Sequence, residues 1–242
     1  MKRLISAIVA ITLLFSTATM LSGCKNKNKE NPKNSIMGTG ASEYASTRDI
    51  TGRDIKFVEM CVEGYGRLVI LLDATTAPLT VANFISLVES GFYDGLTFHR
   101  IIEDFMVQGG DPDADGSGNG PNTIKGEFAN NGHPNDIDHL RGVISMARST
   151  SKNSASCQFF ICHADAPHLN GDYAAFGYVV EGMSVIDEIV TQTMINCQNY
   201  FGYQNFYYWL YYANGSLTDS YGPIKELQPV IKYIKVIDYE LK

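Results

Sequence analysis

The sequence predicts a mainly β fold, an antiparallel barrel with few helices, and three observations support this class. Beyond residue 53 the chain consists mostly of short runs rich in β-branched and aromatic residues, separated by turns that contain glycine. Only two segments show the apolar spacing of an amphipathic helix. The strands also follow one another without the regular helical crossovers of a doubly wound parallel sheet, which favours an antiparallel barrel.

The predicted elements begin with a hairpin, in which two β-rich runs, 56–63 and 66–73, are joined by a turn of Gly-Tyr-Gly. Residues 77–93 predict an amphipathic helix, because apolar residues recur at i, i+3, i+4 and i+7 between Pro78 and Gly91. A second, shorter helix is predicted at 183–192. The remaining strands are predicted at 96–102, 105–110, 142–147, 157–163, 174–180 and 229–241.

The composition is that of an ordinary globular protein. The chain has 242 residues, of which 45% are hydrophobic and 19% charged, enough for one sizeable domain with a packed core. Its formal net charge of -7 leaves no basic excess with which to bind nucleic-acid phosphates. Nucleic acid is therefore not expected as a partner.

The first 23 residues have the features of an export signal rather than of a folded domain. Lys2 and Arg3 precede an apolar stretch, which ends in small residues just before Cys24. The sequence Leu-Ser-Gly-Cys at this point resembles the lipoprotein box of bacteria, in which the signal is removed and the cysteine is acylated. Two other interpretations remain open, a retained transmembrane helix and a signal cleaved elsewhere.

The lipoprotein interpretation divides the chain into a signal peptide at 1–23, a tether at 24–52 that starts with lipidated Cys24, and a folded domain at 53–242. The tether is polar and poor in large apolar residues, so it cannot form a core. A diacylglyceryl group and an N-acyl chain such as palmitate would together give stable attachment. We therefore expect a monomer at the cell membrane, lipid-anchored on its extracytoplasmic face.

The other four cysteines do not have the dense spacing of a disulfide framework. Cys157 and Cys162 lie five residues apart in a predicted strand, so their side chains point to opposite faces and cannot bond to each other. Four buried free thiols are the first prediction. Two disulfides are the alternative, with Cys61 and Cys197 as the pair to check.

Four segments carry a specific pattern: FHRIIEDFMVQGGD (98–111), RGVISMARS (141–149), SASCQFFICHADAPHLNG (154–171) and AFGYVVEGMSVID (175–187). In order and spacing they resemble the cyclophilin family of peptidyl-prolyl cis-trans isomerases. The resemblance extends from about residue 55 to 242, with one interruption. It implies a closed eight-stranded antiparallel barrel capped by two α-helices, with the active site on the outer face of the barrel.

The activity of this family is rotation about Xaa-Pro bonds, for which the barrier is about 18 to 20 kcal/mol. Because no covalent bond changes, a catalyst needs no nucleophile, metal or cofactor. It needs an apolar slot for the pyrrolidine ring and a donor that favours the twisted amide, whose nitrogen regains a lone pair. The expected partners are proline-containing segments of unfolded or exported proteins, whose folding the enzyme would assist.

Arginine suits the role of the donor, because it is permanently charged and offers a planar set of N–H groups. By the resemblance, Arg100 is this donor, Phe105 belongs to the catalytic set with it, and Gln108 positions the substrate amide. The expected substrate-binding residues are Met106, Ala147, Arg148, Phe160, His168, Leu169 and Tyr173.

The resemblance also implies how these residues contact the substrate. Met106, Phe160 and Leu169 line the proline slot with Phe105, whereas Ala147 and Arg148 belong to a segment whose backbone pairs with the peptide. His168 and Tyr173 stand where the best-known eukaryotic members carry a tryptophan and a histidine. Because that tryptophan contacts cyclosporin, tight cyclosporin binding is not expected here.

Simpler interpretations of the same residues remain open. With strict alternation, Arg100 shares a strand face with Leu96, Phe98 and Ile102, where an isolated arginine often extends its charge to water. Aromatic residues in strands usually belong to the core. The alternative function is a tethered, non-catalytic peptide-binding module, which would not need the arginine donor.

Residues 111–116, Asp-Pro-Asp-Ala-Asp-Gly, match the opening of an EF-hand calcium loop. The twelfth position of such a loop is Asn122 instead of glutamate, and a predicted strand precedes the motif where an EF-hand has a helix. The five histidines show no metal-ligand spacing. We therefore expect no metal site.

The interruption in the resemblance lies at about 196–222, a segment that we call the aromatic insertion. Residues 200–212 contain nine aromatics in the sequence YFGYQNFYYWLYY, and an Asn-Gly turn signal follows. We expect an inserted hairpin or short helix between the second helix and the last strand. It either packs on the barrel or presents an aromatic surface to clients, a partner or the bilayer interface.

Overall fold

The computed structural model describes residues 49–219 and 222–241. The expected signal peptide, Cys24 and most of the tether lie outside the described residues. Within the described ranges no helix is both long enough and apolar enough to cross a membrane.

Eight strands form one antiparallel sheet, as the β-rich runs predict. The strands of the described chain, numbered in order, are β1 Ile55–Val62, β2 Gly66–Asp73, β3 Thr97–Ile102, β4 Met106–Asp111, β5 Val143–Met146, β6 Phe159–Cys162, β7 Ala175–Glu181, β8 Thr218–Asp219, β9 Gly222–Pro223 and β10 Ile231–Ile237. The order in the large sheet is β10-β1-β2-β7-β5-β6-β4-β3, and β8 with β9 forms a separate two-stranded ladder. Every predicted strand is confirmed to within a few residues, whereas the β8–β9 ladder was not predicted.

The first predicted helix is confirmed as α1, Pro78–Glu89, which begins at the proline and is followed by Gly91 with a φ of 69°. No side chain of the preceding residue caps it. The carboxylate of buried Glu127 accepts hydrogen bonds from the backbone N–H groups of Leu79 and Thr80, at 3.0 and 2.8 Å. A residue distant in sequence therefore satisfies two of the N–H groups that a helix leaves free at its start.

The second helix is longer than the predicted range of 183–192, and it includes most of the aromatic insertion. Helix α2 spans Met183–Tyr212 and is broken only at Gly202, which has non-helical backbone angles. The aromatic residues are thus mostly helical and continue α2, so the helical alternative for the insertion is confirmed and the hairpin alternative is wrong. Gly202 permits the break because it has no Cβ and can therefore adopt a positive φ, here 71°, without a steric clash.

Side chains on the two faces of the large sheet form two hydrophobic clusters. Along β2, Ile70 and Leu72 belong to the larger cluster and Leu71 belongs to the smaller one, as alternation along a strand requires. Both helices contribute to the larger cluster, for example through Phe84 and Ile186. The smaller cluster lies on the opposite face, and it is the one that contains the expected slot residues.

The cysteines agree only in part with the prediction. Cys157, Cys162 and Cys197 are buried free thiols, and the first two belong to different clusters, as expected from their spacing. Cys61 is disulfide-bonded, so the expectation of four free thiols is wrong at this residue. A Cys61–Cys197 pair is also wrong, since Cys197 is free.

The aromatic insertion divides its side chains between the fold and solvent, so the prediction that it packs on the fold is confirmed in part. Trp209 is buried and lies between the rings of Phe201 and Phe206, with centroid distances of 5.7 and 5.8 Å. Tyr203 and Tyr207, in contrast, are 66% and 54% exposed. The turn after α2 then continues along the edge of β3.

Candidate active site

A β-bulge gives Arg100 its orientation. Between β3 and β4, Phe98 pairs with Gly109 and Arg100 pairs with Gln108, so His99 is an extra residue on β3. The bulge interrupts the alternation. Phe98 and Ile101 both enter the larger cluster, whereas Arg100 faces the opposite side of the sheet. The prediction that Arg100 shares a face with Phe98 is therefore wrong.

Nine of the ten expected catalytic and substrate-binding residues line one cavity of about 150 Å³ on the face of the smaller cluster. Its floor is apolar and buried, since Met106, Phe160 and Leu169 are 1%, 4% and 7% exposed. These three residues come from β4, β6 and a 3-10 turn at Pro167–Leu169. The residues that line it are Arg100, Phe105, Met106, Gln108, Ala147, Arg148, Phe160, Leu169 and Tyr173.

His168 is the one expected residue that does not line this cavity. Its ring is exposed and lies 5.3 Å, between centroids, from the ring of Phe105. His168 therefore supports the rim of the slot from outside through Phe105.

The guanidinium of Arg100 is held at the edge of the slot by two polar contacts. Its Nε donates to the carbonyl oxygen of Asn214 at 2.9 Å, and its Nη1 donates to Oε1 of Gln108 at 3.4 Å. Nη1 also lies 3.8 Å from the sulfur of Met106. Burial lowers the pKa of Arg100, and the neighbouring Tyr173 opposes this change.

Gln108 is itself positioned by Gln158, a residue that the sequence analysis missed. Nε2 of Gln108 donates to Oε1 of Gln158 at 2.9 Å, and Gln158 in turn donates to the carbonyl oxygens of Gly116 and Gly118. Gln158 lies two residues before Phe160, so the period of a strand places both on one face. That alternation was the available signal.

Arg148 has a defined side-chain position, although only its backbone was expected to matter. Its Nε donates to the carbonyl oxygen of Asp172 at 2.9 Å, and its Cζ lies 4.6 Å from the ring centroid of Tyr173. The N–H of Ala147 donates to the carbonyl oxygen of Gln158. A bound peptide would therefore have to pair with the Ala147 carbonyl and with the backbone of Arg148.

Buried His139 supports the wall of the slot, a role for which no motif was found in the sequence. Its ring stacks on Phe160 with a centroid distance of 6.0 Å. Nδ1 lies 3.1 Å from the side-chain oxygen of Asn170, and Nε2 lies 3.0 Å from the hydroxyl of Ser145. Burial lowers the pKa of His139 to about 4, although the bond to Asn170 opposes this shift. The ring is therefore neutral at pH 7.

A second cavity of about 410 Å³ adjoins the slot, because Gln108, Ala147 and Arg148 line both. Its other lining residues are mainly small and polar, among them Ser154 and Gln158. The two cavities together form a groove with one apolar end and one polar end. An extended peptide could occupy both, with an apolar ring in the smaller cavity.

The loop that resembles an EF-hand is organised by hydrogen bonds within the chain. The carboxylate of Asp111 accepts from the backbone N–H groups of Asp113, Asp115 and Gly116. Across the described ranges, no group of three or more His, Cys, Asp or Glu side chains has the geometry of a metal site.

The chemistry that this arrangement offers is donation of hydrogen bonds beside an apolar surface. The thiol of Cys162, which belongs to the smaller cluster, is no nucleophile, because burial raises its pKa to about 12. The polar side chains held in place at the slot include the guanidinium of Arg100 and the amide of Gln108. They suit a reaction in which an amide changes conformation without any bond being made or broken.

Comparison with known proteins places residues 57–200 in the family model described as cyclophilin type peptidyl-prolyl cis-trans isomerase/CLD. A peptidyl-prolyl cis-trans isomerase of Helicobacter pylori is 44% identical over 126 residues, which are 51% of this chain and 74% of the relative. Peptidyl-prolyl cis-trans isomerase B of Bacillus subtilis is 49% identical over 107 residues, or 44% of this chain and 71% of the relative.

Solved structures give the same result. A cyclophilin type peptidyl-prolyl cis-trans isomerase of Cryptosporidium parvum aligns with a TM-score of 0.58 and 26% identity, over 77% of this chain and 100% of that one. A second structure with the same description, obtained in the presence of the dipeptide Ala-Pro, has a TM-score of 0.57 and 27% identity, over 76% and 100% of the two chains. The family model ends at residue 200, within the aromatic insertion.

Proposed function

The chain belongs to the cyclophilin-type family of peptidyl-prolyl cis-trans isomerases, and from this premise we propose which of its residues carry the isomerisation of Xaa-Pro bonds. The observation that carries the proposal is the guanidinium of Arg100 at the edge of a buried apolar slot. Arg100 is the donor that stabilises the twisted amide. Phe105, Met106, Phe160 and Leu169 bind the proline ring.

The mechanism follows from the electronic change during rotation. As the amide twists, its nitrogen loses conjugation and becomes a hydrogen-bond acceptor that the planar ground state lacks. A donor aimed at that nitrogen therefore binds the transition state more tightly than either isomer, which lowers the barrier. Among the described residues, the contacts of Arg100 involve only Nε and Nη1, so the Nη2 donors remain for the substrate.

Gln108 and the polar cavity hold the rest of the peptide while the bond rotates. The amide of Gln108 is fixed by Gln158 and can position the carbonyl on one side of the rotating bond. The backbone of Ala147 and Arg148 can pair with the residues before proline. Positioning of this kind removes the entropic cost of orienting the amide against the donor.

The test is a cis-to-trans assay on a proline-containing tetrapeptide with the wild type, Arg100→Ala and Arg100→Lys. We expect Arg100→Ala to lower kcat/KM about a hundredfold, the effect of removing one preorganised donor. Arg100→Lys keeps the charge but loses the planar donors, so it should restore little of the rate. An exposed lysine substitution, Lys56→Ala, serves as the control. Full activity in Arg100→Ala would overturn the assignment.

Closure of the sheet into a barrel is part of the same proposal, since it fixes β3 and hence Arg100. The N–H of Gly95 donates to Ile231 O, and the N–H of Ile231 donates to Leu96 O, both at 2.8 Å. Phe98 donates to Pro229 O at 2.9 Å. These bonds join the segment at β3 to the start of β10. In a closed barrel, the Ile231 amide should exchange with solvent as slowly as amides in β2.

The substrates that we propose are unfolded or exported proteins at the outer face of the membrane, reached by a monomer anchored through Cys24. The support is the sequence alone, which has a signal-like stretch at 1–23 and the Leu-Ser-Gly-Cys box. Metabolic labelling with a clickable palmitate analogue tests this idea. Label on the wild type and none on Cys24→Ala is the expected result, whereas equal label on both would overturn it.

A further inference from the structure

The turn that ends the aromatic insertion lies along the edge of β3 that faces away from β4. The N–H of Ile101 donates to Gly215 O at 2.9 Å, and the N–H of Leu217 donates to His99 O at 2.7 Å. Arg100 and Ser216 form an antiparallel bridge between these bonds. The insertion therefore extends the sheet beside the residue that we propose as the catalytic donor.

The same turn holds the side chain of Arg100. The carbonyl oxygen of Asn214 accepts the Nε hydrogen bond at 2.9 Å, and Gln108 on β4 is 3.4 Å from Nη1. A contact at Nε fixes the plane of the guanidinium, because Nε lies at the hinge between that plane and the aliphatic chain. Two contacts on different sides thus restrict a side chain that is otherwise rich in rotamers.

The backbone of the turn is specified by its own sequence. Asn214 and Gly215 both have positive φ, 50° and 71°, and the N–H of Ser216 donates to Ala213 O at 2.9 Å. Two central residues with positive φ, with the sequence Asn-Gly, are typical of a type I′ turn. A Cβ on Gly215 would lie 2.5 Å from both Ile101 O and Ile102 Cγ1, so only glycine permits this approach to β3.

Trp209 fixes the turn to α2. Its Nε1 donates to Ser216 O at 2.7 Å, and its ring is buried between Phe201 and Phe206. Ala213 donates to Trp209 O at 2.9 Å. The aromatic residues of the insertion therefore form a rigid support whose end is the carbonyl oxygen that Arg100 contacts.

We infer that the aromatic insertion is a positioning element for catalysis: through the Asn214 carbonyl it orients the Arg100 guanidinium toward the proline slot. The inference rests on the proposed role of Arg100. Because the insertion acts through Arg100 and does not line the slot, its loss lowers kcat and leaves KM nearly unchanged.

A double-mutant cycle separates positioning from folding. Gly215→Val displaces the turn from β3, and in the wild-type background it should lower kcat about tenfold, the effect of one hydrogen bond to a charged group. Alanine at position 100 has no Nε for Asn214 to bind. In the Arg100→Ala background Gly215→Val should therefore cause no further loss. Equal losses in both backgrounds would show that the turn acts on folding alone and would overturn the inference.

Three further variants guard against misfolding and test the direction of the effect. Trp209→Phe removes the hydrogen bond to Ser216 but keeps an aromatic ring, and a smaller loss in kcat is expected. Asn214→Gly should lose much less than Asn214→Val, since glycine adopts positive φ and a β-branched residue does not. Tyr203→Ser, on the exposed side of the insertion, is the matched control.

A spectroscopic readout completes the test. In the wild type, the Arg100 Nε–H should give one ordered side-chain resonance that exchanges slowly with water, and Gly215→Val should broaden it or shift it to the position of a free arginine. An unchanged resonance in a folded Gly215→Val would overturn the inference. If Arg100→Ala keeps full activity, the proposed function fails instead. If it loses activity while folded Gly215→Val keeps its kcat, only the positioning role fails.

Discussion

The side-chain amides of Gln108 and Gln158 are joined by a hydrogen bond of 2.9 Å, in which Gln108 is the donor. Gln158 in turn donates to Gly118 O at 2.8 Å, so the amide of Gln108 has one orientation. That orientation directs Oε1 of Gln108 toward Arg100, 3.4 Å away. The site thus depends on a residue just before β6, the strand that pairs with β4.

We expect Gln158→Leu to lower kcat/KM about tenfold, because Gln108 loses the hydrogen-bond acceptor that orients its amide. Stability should change much less than activity, since Gln158 is partly exposed. Gln192→Leu, an exposed substitution on α2, is the control. The measurement is the isomerisation assay together with thermal unfolding. A loss of stability in proportion to the loss of activity would contradict this account.

Tyr173 is expected to act on binding more than on the rate of rotation. Its ring packs edge-to-face on Phe160 at 6.0 Å and lies under the guanidinium of Arg148 at 4.6 Å. Tyr173→Ala removes both contacts and one wall of the slot, so KM should rise about tenfold, in line with about 0.5 to 1.5 kcal/mol for such ring contacts. Tyr173→Phe keeps the ring and should raise KM less than twofold. Steady-state kinetics that showed a fall in kcat at constant KM would be inconsistent with this role.

The slot residues could be predicted because the segments that carry them are contiguous and specific. Phe105, Met106 and Gln108 lie five, six and eight residues after Arg100, and their order and spacing matched the family pattern. The orientation of Arg100 could not be predicted. It depends on a bulge at His99, which arises from pairing with β4 and leaves no signature in the alternation of β3.

Contacts between distant segments were also beyond sequence analysis. Asn214 and Arg100 are 114 residues apart, and nothing in an Asn-Gly turn indicates what its carbonyl group will contact. The length of α2 was underestimated for a different reason. The dense aromatics at 200–212 were interpreted as an inserted element of their own, whereas helix continues on both sides of Gly202, where Phe201 stacks on Trp209.

The contact between Glu127 and the start of α1 joins segments that are distant in sequence, and its contribution to the free energy of unfolding can be measured. The buried carboxylate of Glu127 accepts hydrogen bonds from Leu79 and Thr80 at the start of α1. Glu127→Ala leaves these N–H groups without their partner, and we expect the free energy of unfolding to fall by about 2 to 4 kcal/mol. Glu127→Gln keeps one acceptor oxygen and should lose about half as much. Urea unfolding is the measurement, with exposed Glu89→Ala as the control, which should stay within about 0.5 kcal/mol of the wild type.

His139 makes the stability depend on pH in a direction that can be stated in advance. Its pKa in the folded protein is about 4, lowered mainly by burial, whereas a histidine in an unfolded chain has a pKa of about 6.5. As the pH falls from about 6.5 toward 4, the unfolded chain binds a proton that the folded protein does not, so the folded state loses stability. Above about pH 6.5 the imidazole of His139 is neutral in both the folded and the unfolded state, so its contribution to the free energy of unfolding no longer changes with pH.

The expected contribution between pH 7 and pH 4.5 is about 2 kcal/mol, from about 1.4 kcal/mol for each unit of pKa difference. His139→Gln cannot titrate, so its free energy of unfolding should fall less over this interval by about that amount, even if the variant is less stable at pH 7. The carboxylates titrate in both proteins and cancel in the comparison. Urea unfolding at several pH values gives the two curves, and parallel curves would show that His139 does not carry this pH dependence.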